Sequence, residues 1–201
     1  MIQHRRRRML AAVLALPMAG LALPFAARAQ PACGAPTPGD IEGPFYKAGA
    51  PLRTSLAEAD SKAEKMLLSG VVRSADCKPL ANVSLDFWHA DERGEYDNAG
   101  YRYRGIVTTD WQGRYRVETN LPPPYSGRPR HIHVKVQRLG GRSLTTQLYF
   151  PGESRDAPRA LVVKMERRAG VRAAAFDFVL PRCVVCKICL LYTTPSPRDT
   201  R

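Results

Sequence analysis

The chain has 201 residues, with 31 basic and 18 acidic side chains and a formal net charge of +13, and this length suffices for one domain with its own hydrophobic core. Much of the charge lies at the two ends, because residues 30–182 hold 23 basic and 17 acidic side chains, a net charge of +6. That span contains no lysine- and arginine-rich block of the kind that binds nucleic acid, so no nucleic-acid partner is expected.

The first 29 residues have the pattern of an export signal. Arginines at positions 5–8 precede an apolar run from Met9 to about Phe25, and Ala27-Arg28-Ala29 fits a cleavage site. The Arg-Arg-x-Met-Leu start also resembles a twin-arginine signal. The apolar run is short for a membrane span, so we expect a removed signal at residues 1–29, no stable membrane span, and a periplasmic or secreted mature protein.

The mature chain is expected to be all-β after an extended N-terminal arm. Residues 30–65 are rich in proline and glycine at first, with one short helical turn predicted within residues 55–65. Alternating or apolar runs then predict about seven strands, at 66–73, 83–90, 101–109, 114–119, 131–139, 143–150 and 174–180. Residues 156–170 are expected to hold one short helix or turn. Short strands joined by regular turns favour a β-sandwich or a barrel.

The C-terminal residues 183–201 form a doubtful tail. They continue no strand or helix pattern, and from about residue 189 they closely resemble a translated sequencing adapter, which we interpret as read-through. Three of the five cysteines lie in this tail, so a metal knuckle there is not expected. Cys33 and Cys77 remain in residues 30–182, and an exported protein can join them in a disulfide.

Two histidines lie one residue apart at the start of the strand predicted at residues 131–139. Side chains alternate between faces along a strand, so His131 and His133 share one face, with Cα atoms about 6–7 Å apart. Ile132, Val134 and Val136 then face the core. This spacing lets two imidazoles hold one metal ion, although two unrelated histidines on a polar face would give the same pattern.

The identity of any further metal ligand stays open on pattern alone. The only other histidine in residues 30–182 is His89, which we expect to be structural or to support a site from outside the ligand set. A zinc hydrolase would need a third histidine or a carboxylate, and the turns supply many acidic residues. Tyr96 and Tyr125 are the other candidates, because a phenolate is a hard ligand suited to ferric iron; each alone is equally explained as a packed loop aromatic.

Three stretches carry a family resemblance: WHADERGEYDN, GYRYRGIVTTDWQGRYRVETNLPPPYSGRPRHIHVKV and TTQLYFPGE. In order and spacing they resemble the intradiol ring-cleavage dioxygenases, which include the catechol and protocatechuate dioxygenases. The resemblance runs from about residue 42 to about residue 180. It implies that residues 30–182 form an antiparallel β-sandwich with an extended N-terminal arm and long active-site loops.

The resemblance also implies a set of site residues. The ligands of one Fe(III) per chain would be Tyr96, Tyr125, His131 and His133. Arg128 would stabilise the reacting substrate, and Gln147 would be a polar active-site residue that orients substrate or O₂. Pro44 and Tyr46, in the sequence EGPFY, would line the mouth of the substrate pocket.

The implied reaction joins O₂ to a catechol-type substrate between its two hydroxyl-bearing carbons and gives a cis,cis-muconate-type diacid. In the family mechanism Tyr125 leaves the iron as the substrate loses both protons. The chain lacks the helical N-terminal dimerisation region of the catechol 1,2-dioxygenases, which leaves a homo-oligomer open. The strand pattern by itself would also fit a periplasmic β-sandwich binding module without catalysis, or a zinc hydrolase.

Overall fold

The computed structural model describes residues 33–153, 157–168 and 171–181. The predictions of an export signal at residues 1–29 and of a doubtful tail at residues 183–201 lie outside these residues. Within the described ranges, no helix is both long enough and apolar enough to cross a membrane.

Nine strands and one 3₁₀ turn form the regular structure of the described residues. The strands are β1 Lys65–Ser74, β2 Ser84–Trp88, β3 Arg104–Thr108, β4 Arg114–Asn120, β5 His131–Gln137, β6 Leu144–Tyr149, β7 Lys164–Arg168, β8 Val171–Ala175 and β9 Phe178–Leu180. The 3₁₀ turn at Arg159–Leu161 lies between β6 and β7. The all-β class predicted from the sequence is therefore confirmed.

The strands are arranged in two sheets that pack as a sandwich. One sheet has the order β3-β2-β5-β6 and is antiparallel throughout. The other has the order β4-β1-β8-β7, with β9 also paired to β1. There β1 is antiparallel to β4 but parallel to β8 and β9. Parallel pairing needs a long crossover connection, which the chain between β1 and β8 supplies, so this sheet is mixed.

The core lies between the two sheets and follows the predicted alternation. Val83, just before β2, and Leu85 and Phe87 within it are buried in the core, as are the apolar residues of β5. Met66 and Leu68 of β1 face them from the other sheet and belong to the same cluster. Burial of large aliphatic and aromatic side chains is the main stabilising term of such a fold, at about 1.5–3 kcal/mol per side chain.

A bend between β8 and β9 requires a glycine in β1. The Phe176 N–H donates to the carbonyl of Ser69 over 3.0 Å, and the Val71 N–H donates to Asp177 Oδ1 over 2.9 Å. A Cβ atom on Gly70 would lie 1.7 Å from the carbonyl oxygen of Phe176. The missing side chain therefore lets one edge of β1 pair with β8 and then with β9.

Some elements differ from the sequence predictions. The helical turn predicted within residues 55–65 is only a bend and a turn. The helix or turn predicted at residues 156–170 is limited to the 3₁₀ turn, and β7 follows it. The strand predicted at residues 101–109 starts only at Arg104, because Tyr103 has a left-handed backbone with φ +54°. The strand predicted at residues 174–180 is divided between β8 and β9.

The N-terminal arm covers the outer face of the antiparallel sheet. The Asp40 N–H donates to the carbonyl of Thr145 over 3.0 Å, and the Thr146 hydroxyl donates to the carbonyl of Pro38 over 2.9 Å. A disulfide between Cys33 and Cys77, with Cα atoms 4.8 Å apart, ties the start of the arm to the β1–β2 turn. The outward-facing side chains of β5 are consequently buried beneath the arm and the neighbouring loops.

Candidate metal centre

Four side chains from three segments meet at one end of the antiparallel sheet. His131 and His133 open β5, Tyr125 lies in the preceding loop, and Tyr96 lies in the loop that follows β2. The two phenol oxygens are 2.9 Å apart. Tyr96 Oη is 3.1 Å from His133 Nε2, and Tyr125 Oη is 3.3 Å from His131 Nε2. Two oxygens and two imidazole nitrogens therefore converge on a single point.

The two histidines are oriented by different means. His131 Nδ1 donates to the carbonyl of Pro129 over 2.7 Å, which leaves Nε2 unprotonated and directed at the phenols. The His133 ring is stacked on Trp88 at 4.9 Å with an angle of 8° between the planes. Trp88 is the direct cross-strand partner of His133. His133 Nδ1 is buried and has no hydrogen-bond partner among the described residues, so on that side of the ring it is stacking on Trp88 that orients the imidazole.

Tyr96 is held in its loop by an aromatic neighbour and by backbone contacts. The Phe45 ring, from the N-terminal arm, is stacked on it at 4.5 Å with an angle of 13°. Asp97 closes the loop on itself, because its carboxylate accepts the backbone N–H groups of Ala99, Gly100 and Arg102. The Tyr96 phenol thus projects from a loop that is ordered on both sides of it.

Close packing between two loops places Tyr125 beside Tyr96. Gly94 has φ +82°, and a Cβ atom on it would lie 2.6 Å from Tyr125 Cβ. Only glycine combines this backbone conformation with so close an approach. Tyr125 itself lies in a tight turn, in which the Arg128 N–H donates to the Tyr125 carbonyl over 2.8 Å.

Burial shifts the pKa values of Tyr96 and of both histidines. It raises the pKa of Tyr96 far above the usual value, and the hydrogen bond with Tyr125 adds to this. It lowers the pKa of His131, and it lowers the pKa of His133 to about 2, with the charge of His131 contributing. Both imidazoles are therefore neutral and able to ligate, while a phenolate form of Tyr96 requires a cation.

The donor set fits a hard, oxygen-preferring metal ion. Two phenol oxygens at a cleft and two buried, neutral imidazole nitrogens, with neighbouring donor atoms 2.9–3.3 Å apart, have the chemistry of ferric ligands. Elsewhere in the described residues, no three His, Cys, Asp or Glu side chains lie close enough to share a metal ion. Within the part of the chain that the structure describes, the third histidine or carboxylate that a zinc hydrolase needs is thus not found beside His131 and His133.

Arg128 borders the four donors and is anchored away from them. Its Nη2 donates to Gln147 Oε1 over 2.7 Å. Gln147 is fully buried, and its Nε2 donates to the carbonyl of Ile41 over 2.7 Å. The Tyr149 hydroxyl lies 3.2 Å from the same Gln147 oxygen and donates to Asp40 Oδ2 over 2.9 Å. Gln147 therefore has its amide groups occupied and is placed to hold Arg128.

A cleft of about 560 Å³ opens onto this cluster. Its lining includes Pro44, Phe45, Glu95, Tyr96, Tyr125, Arg128 and His133. Tyr46, which was expected at the pocket mouth with Pro44, is not part of that lining. It contacts Trp88 at a ring distance of 5.0 Å and donates to Asp86 Oδ2 over 3.2 Å. A direct role of Tyr46 in the pocket stays a prediction.

His89 lies outside the cluster, in agreement with the supporting role expected from the sequence. Its Nε2 is 2.6 Å from the Thr119 hydroxyl, and its ring contacts Tyr103 at 4.8 Å. Burial lowers the pKa of His89 to about 4. Its hydrogen bond joins the end of β2 to β4 of the opposite sheet.

Several supporting residues were not found from the sequence. Trp88, Tyr149 and Asp40 act through cross-strand register or through the path of the N-terminal arm, which a single sequence does not reveal. Tyr149 had a usable signal, because it lies two positions after Gln147 in β6 and so points to the same face. Its partner across the ladder is His131.

Comparison with known proteins also indicates a dioxygenase. A family model described as "Dioxygenase" matches residues 41–181. The chain is 33% identical over 174 residues to the chlorocatechol 1,2-dioxygenase of Pseudomonas putida, covering 71% of this chain and 67% of the relative. It is 35% identical over 146 residues to the catechol 1,2-dioxygenase of Acinetobacter baylyi, covering 58% of this chain and 47% of the relative. The chain thus spans about half to two thirds of these relatives.

Among solved structures, the chain is similar to the dioxygenase domain of a dioxygenase carbohydrate-binding protein fusion from Streptomyces sp. SirexAA-E. The identity is 45% and the TM-score 0.70, and the match covers 73% of this chain and 99% of that one. The described sandwich therefore corresponds to a whole dioxygenase domain in that protein.

Proposed function

Because this chain belongs to the intradiol ring-cleavage dioxygenase family, we propose that it uses a non-haem Fe(III) to cleave a catechol-type ring between its two hydroxyl-bearing carbons. Both atoms of O₂ enter the product, a cis,cis-muconate-type diacid. The observation that carries the proposal is the convergence of two phenol oxygens and two imidazole nitrogens at a cleft.

One Fe(III) per chain would be held by Tyr96, Tyr125, His131 and His133. When bound, this cation would take both oxygens of a catechol and leave the ring electron-rich enough to react with O₂. The protein supplies two anionic and two neutral donors. The Tyr96 phenol loses its proton only when a cation is present, since burial raises its pKa and favours the neutral form.

Tyr125 is the residue best placed to accept a proton from the substrate. Its phenol lies on the cleft wall, where a catechol hydroxyl can reach it, and Oη would accept that proton. His131 would keep its Nε2 on the cation during this step, because its other nitrogen is committed to the carbonyl of Pro129. Tyr96 is less suited to this step, because Phe45 is stacked on its ring.

Negative charge on the reacting ring would be stabilised by Arg128. A guanidinium is always charged and donates in fixed directions, so it can act only if it is aimed beforehand. The hydrogen bond to the fully buried Gln147 fixes the orientation of the Arg128 guanidinium. Gln147 therefore serves to position Arg128 in our proposal, and its amide contacts O₂ or substrate only if that bond opens.

The charge of the cleft favours substrates without a carboxylate. Arg128 is the only cation of the described lining, and Glu95 adds a negative charge there. A ring that carries a carboxylate, as in protocatechuate, would meet Glu95 without finding a free cation. Catechol and chlorocatechol, the substrates named for the two relatives, are neutral at these positions.

Metal analysis and oxygen uptake test the proposal. Purified mature protein loaded with iron should bind about one Fe(III) per chain and show a visible absorption band from the ferric phenolates, and it should consume O₂ with catechol or chlorocatechol faster than with protocatechuate. Tyr96→Phe and Tyr125→Phe should each weaken the band. Tyr101→Phe is the matched control, because the only hydrogen bond of the Tyr101 hydroxyl within the described residues is to the Ala48 carbonyl. Colourless, iron-free wild type after loading would refute the proposal and leave a binding module or zinc hydrolase.

We further propose that the mature protein is periplasmic or secreted. The twin-arginine-like pattern of residues 1–29 motivates this, and the disulfide between Cys33 and Cys77 supports it, since disulfides persist in oxidising compartments. Fractionation of cells that express the full chain should recover the protein outside the cytoplasm. Replacement of Arg6 and Arg7, the pair of the Arg-Arg-x-Met-Leu pattern, by Lys should retain it inside if the twin-arginine route is used.

A further inference from the structure

Arg104, the first residue of β3, is a buried cation without a counter-ion. Its side chain is 1% exposed, a rare state for arginine unless it is paired with an acid. Among the described residues no carboxylate forms an ion pair with it. Nε donates to the carbonyl of Asp97 over 3.0 Å and Nη1 to the carbonyl of Phe45 over 2.8 Å. Nη2 is buried and has no partner in the described residues.

The two acceptors of Arg104 lie on either side of Tyr96. Asp97 is the next residue along the loop, and Phe45 is the residue whose ring is stacked on Tyr96 at 4.5 Å. One guanidinium therefore joins the backbone of the Tyr96 loop to the backbone of the arm that covers it. The guanidinium carbon is 6.0 Å from the centre of the Tyr96 ring.

The groups around Arg104 do not neutralise its positive charge. Asp97 and Asp86 are close enough to act on the charge of Arg104, yet neither forms an ion pair with it among the described residues. Asp97 uses its carboxylate on the backbone of its own loop, and Asp86 accepts the hydroxyl of Tyr46. A phenolate at Tyr96 would supply the missing negative charge, because an opposite charge close to a desolvated cation offsets its burial cost.

We propose that Arg104 is a positioning residue for Tyr96, which fixes the ring between loop and arm and provides the permanent positive charge beside its metal-bound phenolate. This inference rests on the proposed ferric site. It assigns a role in that site to a residue that does not touch the cleft and that no ligand pattern in the sequence includes.

The test compares Arg104→Met and Arg104→Lys with Arg53→Met in the full chain. Arg53 is the matched control, because it also clamps this segment through carbonyls, those of Tyr101 at 2.5 Å and Arg104 at 2.9 Å, without contacting Tyr96. The readouts are the wavelength of the ferric-phenolate band, the rate at which a chelator removes the iron, and the thermal midpoint of the iron-free protein.

We expect Arg104→Met to move the band to longer wavelength, because loss of a nearby positive charge raises the energy of the phenolate electrons. Iron should leave about tenfold faster, the size of effect typical for residues that support ligands. Arg104→Lys keeps the charge but not the two-pronged contact, so its band should move less while iron loss is still accelerated. Arg53→Met should lower the thermal midpoint and leave the band in place.

The outcomes separate the two proposals. Wild type without iron or band refutes the proposed function. Wild type with both, and an Arg104→Met variant whose band and iron-loss rate are unchanged, overturns the role of Arg104 alone. If Arg104→Met does not fold, Arg104→Lys decides: iron loss at the wild-type rate overturns the inference, and accelerated loss supports it. A band shift in Arg53→Met equal to that of Arg104→Met would also overturn it, because any loosening of the segment would then suffice.

Discussion

Replacing Gly94 by alanine should damage the candidate site much more than it damages the fold. A Cβ atom at this position would lie 2.6 Å from Tyr125 Cβ, whereas carbon atoms in contact are normally about 3.5–4.0 Å apart. The deficit is about 1 Å. Because Gly94 and Tyr125 lie on separate loops, the deficit can be relieved only by displacing one loop from the other.

A displacement of either loop would move the metal-binding donor atoms themselves. Tyr125 Oη lies 2.9 Å from Tyr96 Oη and 3.3 Å from His131 Nε2, so a shift of about 1 Å opens at least one of these contacts. A misplacement of that size in a catalytic group costs on the order of 100-fold in rate. We therefore expect Gly94→Ala to lower kcat/KM for catechol by about that factor and to reduce the iron bound per chain.

Gly152→Ala provides the matched control. Gly152 has φ +81°, close to the +82° of Gly94, but a Cβ atom on Gly152 would have no described atom within 4 Å. Both substitutions force alanine into a left-handed conformation, at a cost of about 1–2 kcal/mol, which is partly offset by the lower entropy of the unfolded chain. Gly152→Ala should therefore lose stability by about 1 kcal/mol and keep full activity.

The measurements are oxygen uptake with catechol, iron content, and the midpoint of thermal unfolding for both variants and wild type. The reasoning fails if Gly94→Ala retains wild-type kcat/KM and iron content at a thermal midpoint like that of Gly152→Ala. It also fails if both variants lose activity equally, because backbone strain and not contact with Tyr125 would then be responsible.

Three further substitutions test other parts of the structure. Burial raises the pKa of Asp86 from 3.8 to about 6, so the free energy of unfolding falls as pH rises from about 4 to 6. Asp86→Asn should remove this dependence on pH and raise the free energy of unfolding by up to about 3 kcal/mol at pH 7. Thermal midpoints that still depend on pH as in wild type would contradict this. Trp88→Leu should speed iron loss about tenfold by releasing the stacked His133 ring, whereas Trp88→Phe should not; equal rates in a chelator assay would exclude the stacking role. Gly70→Ala should lower the unfolding free energy by about 3 kcal/mol or more in urea titration, because the Phe176 carbonyl occupies the space, and an unchanged midpoint would disprove this.

The strands that follow the alternating rule were predictable from sequence, and the others were not. In β2 and β5 every second residue is a large apolar side chain of the core, so local periodicity is enough. β7 and β8 have the sequences KMERR and VRAAA, made largely of residues that favour helices. Their strand conformation comes from pairing with each other and with β1, a tertiary effect that overrides local preference.

The candidate site was predictable only in part. Alternation along β5 places His131 and His133 on one face, but the pattern left the remaining ligands open, and Tyr96 and Tyr125 came from the family resemblance. The structure brings all four together. The side chains that hold them in place could not be identified from the sequence. The position of Trp88 opposite His133 depends on strand register, and the contact of Phe45 with Tyr96 depends on the path of an arm that has no regular structure.

The two phenols are anchored to different degrees, and in the proposed ferric site this difference bears on which of them could leave the metal. Tyr96 lies under the Phe45 ring and next to Asp97, both of which are tied to Arg104. Among the described residues the Tyr125 backbone bonds only within its own turn, to Arg128, and the Arg128 side chain is in turn fixed to Gln147. We infer that the turn stays in place and that the Tyr125 ring rotates out of the cluster. Because such a rotation leaves the turn in place, the guanidinium of Arg128 keeps its aim while the phenol departs, so proton uptake by Tyr125 and charge stabilisation by Arg128 can occur in the same complex.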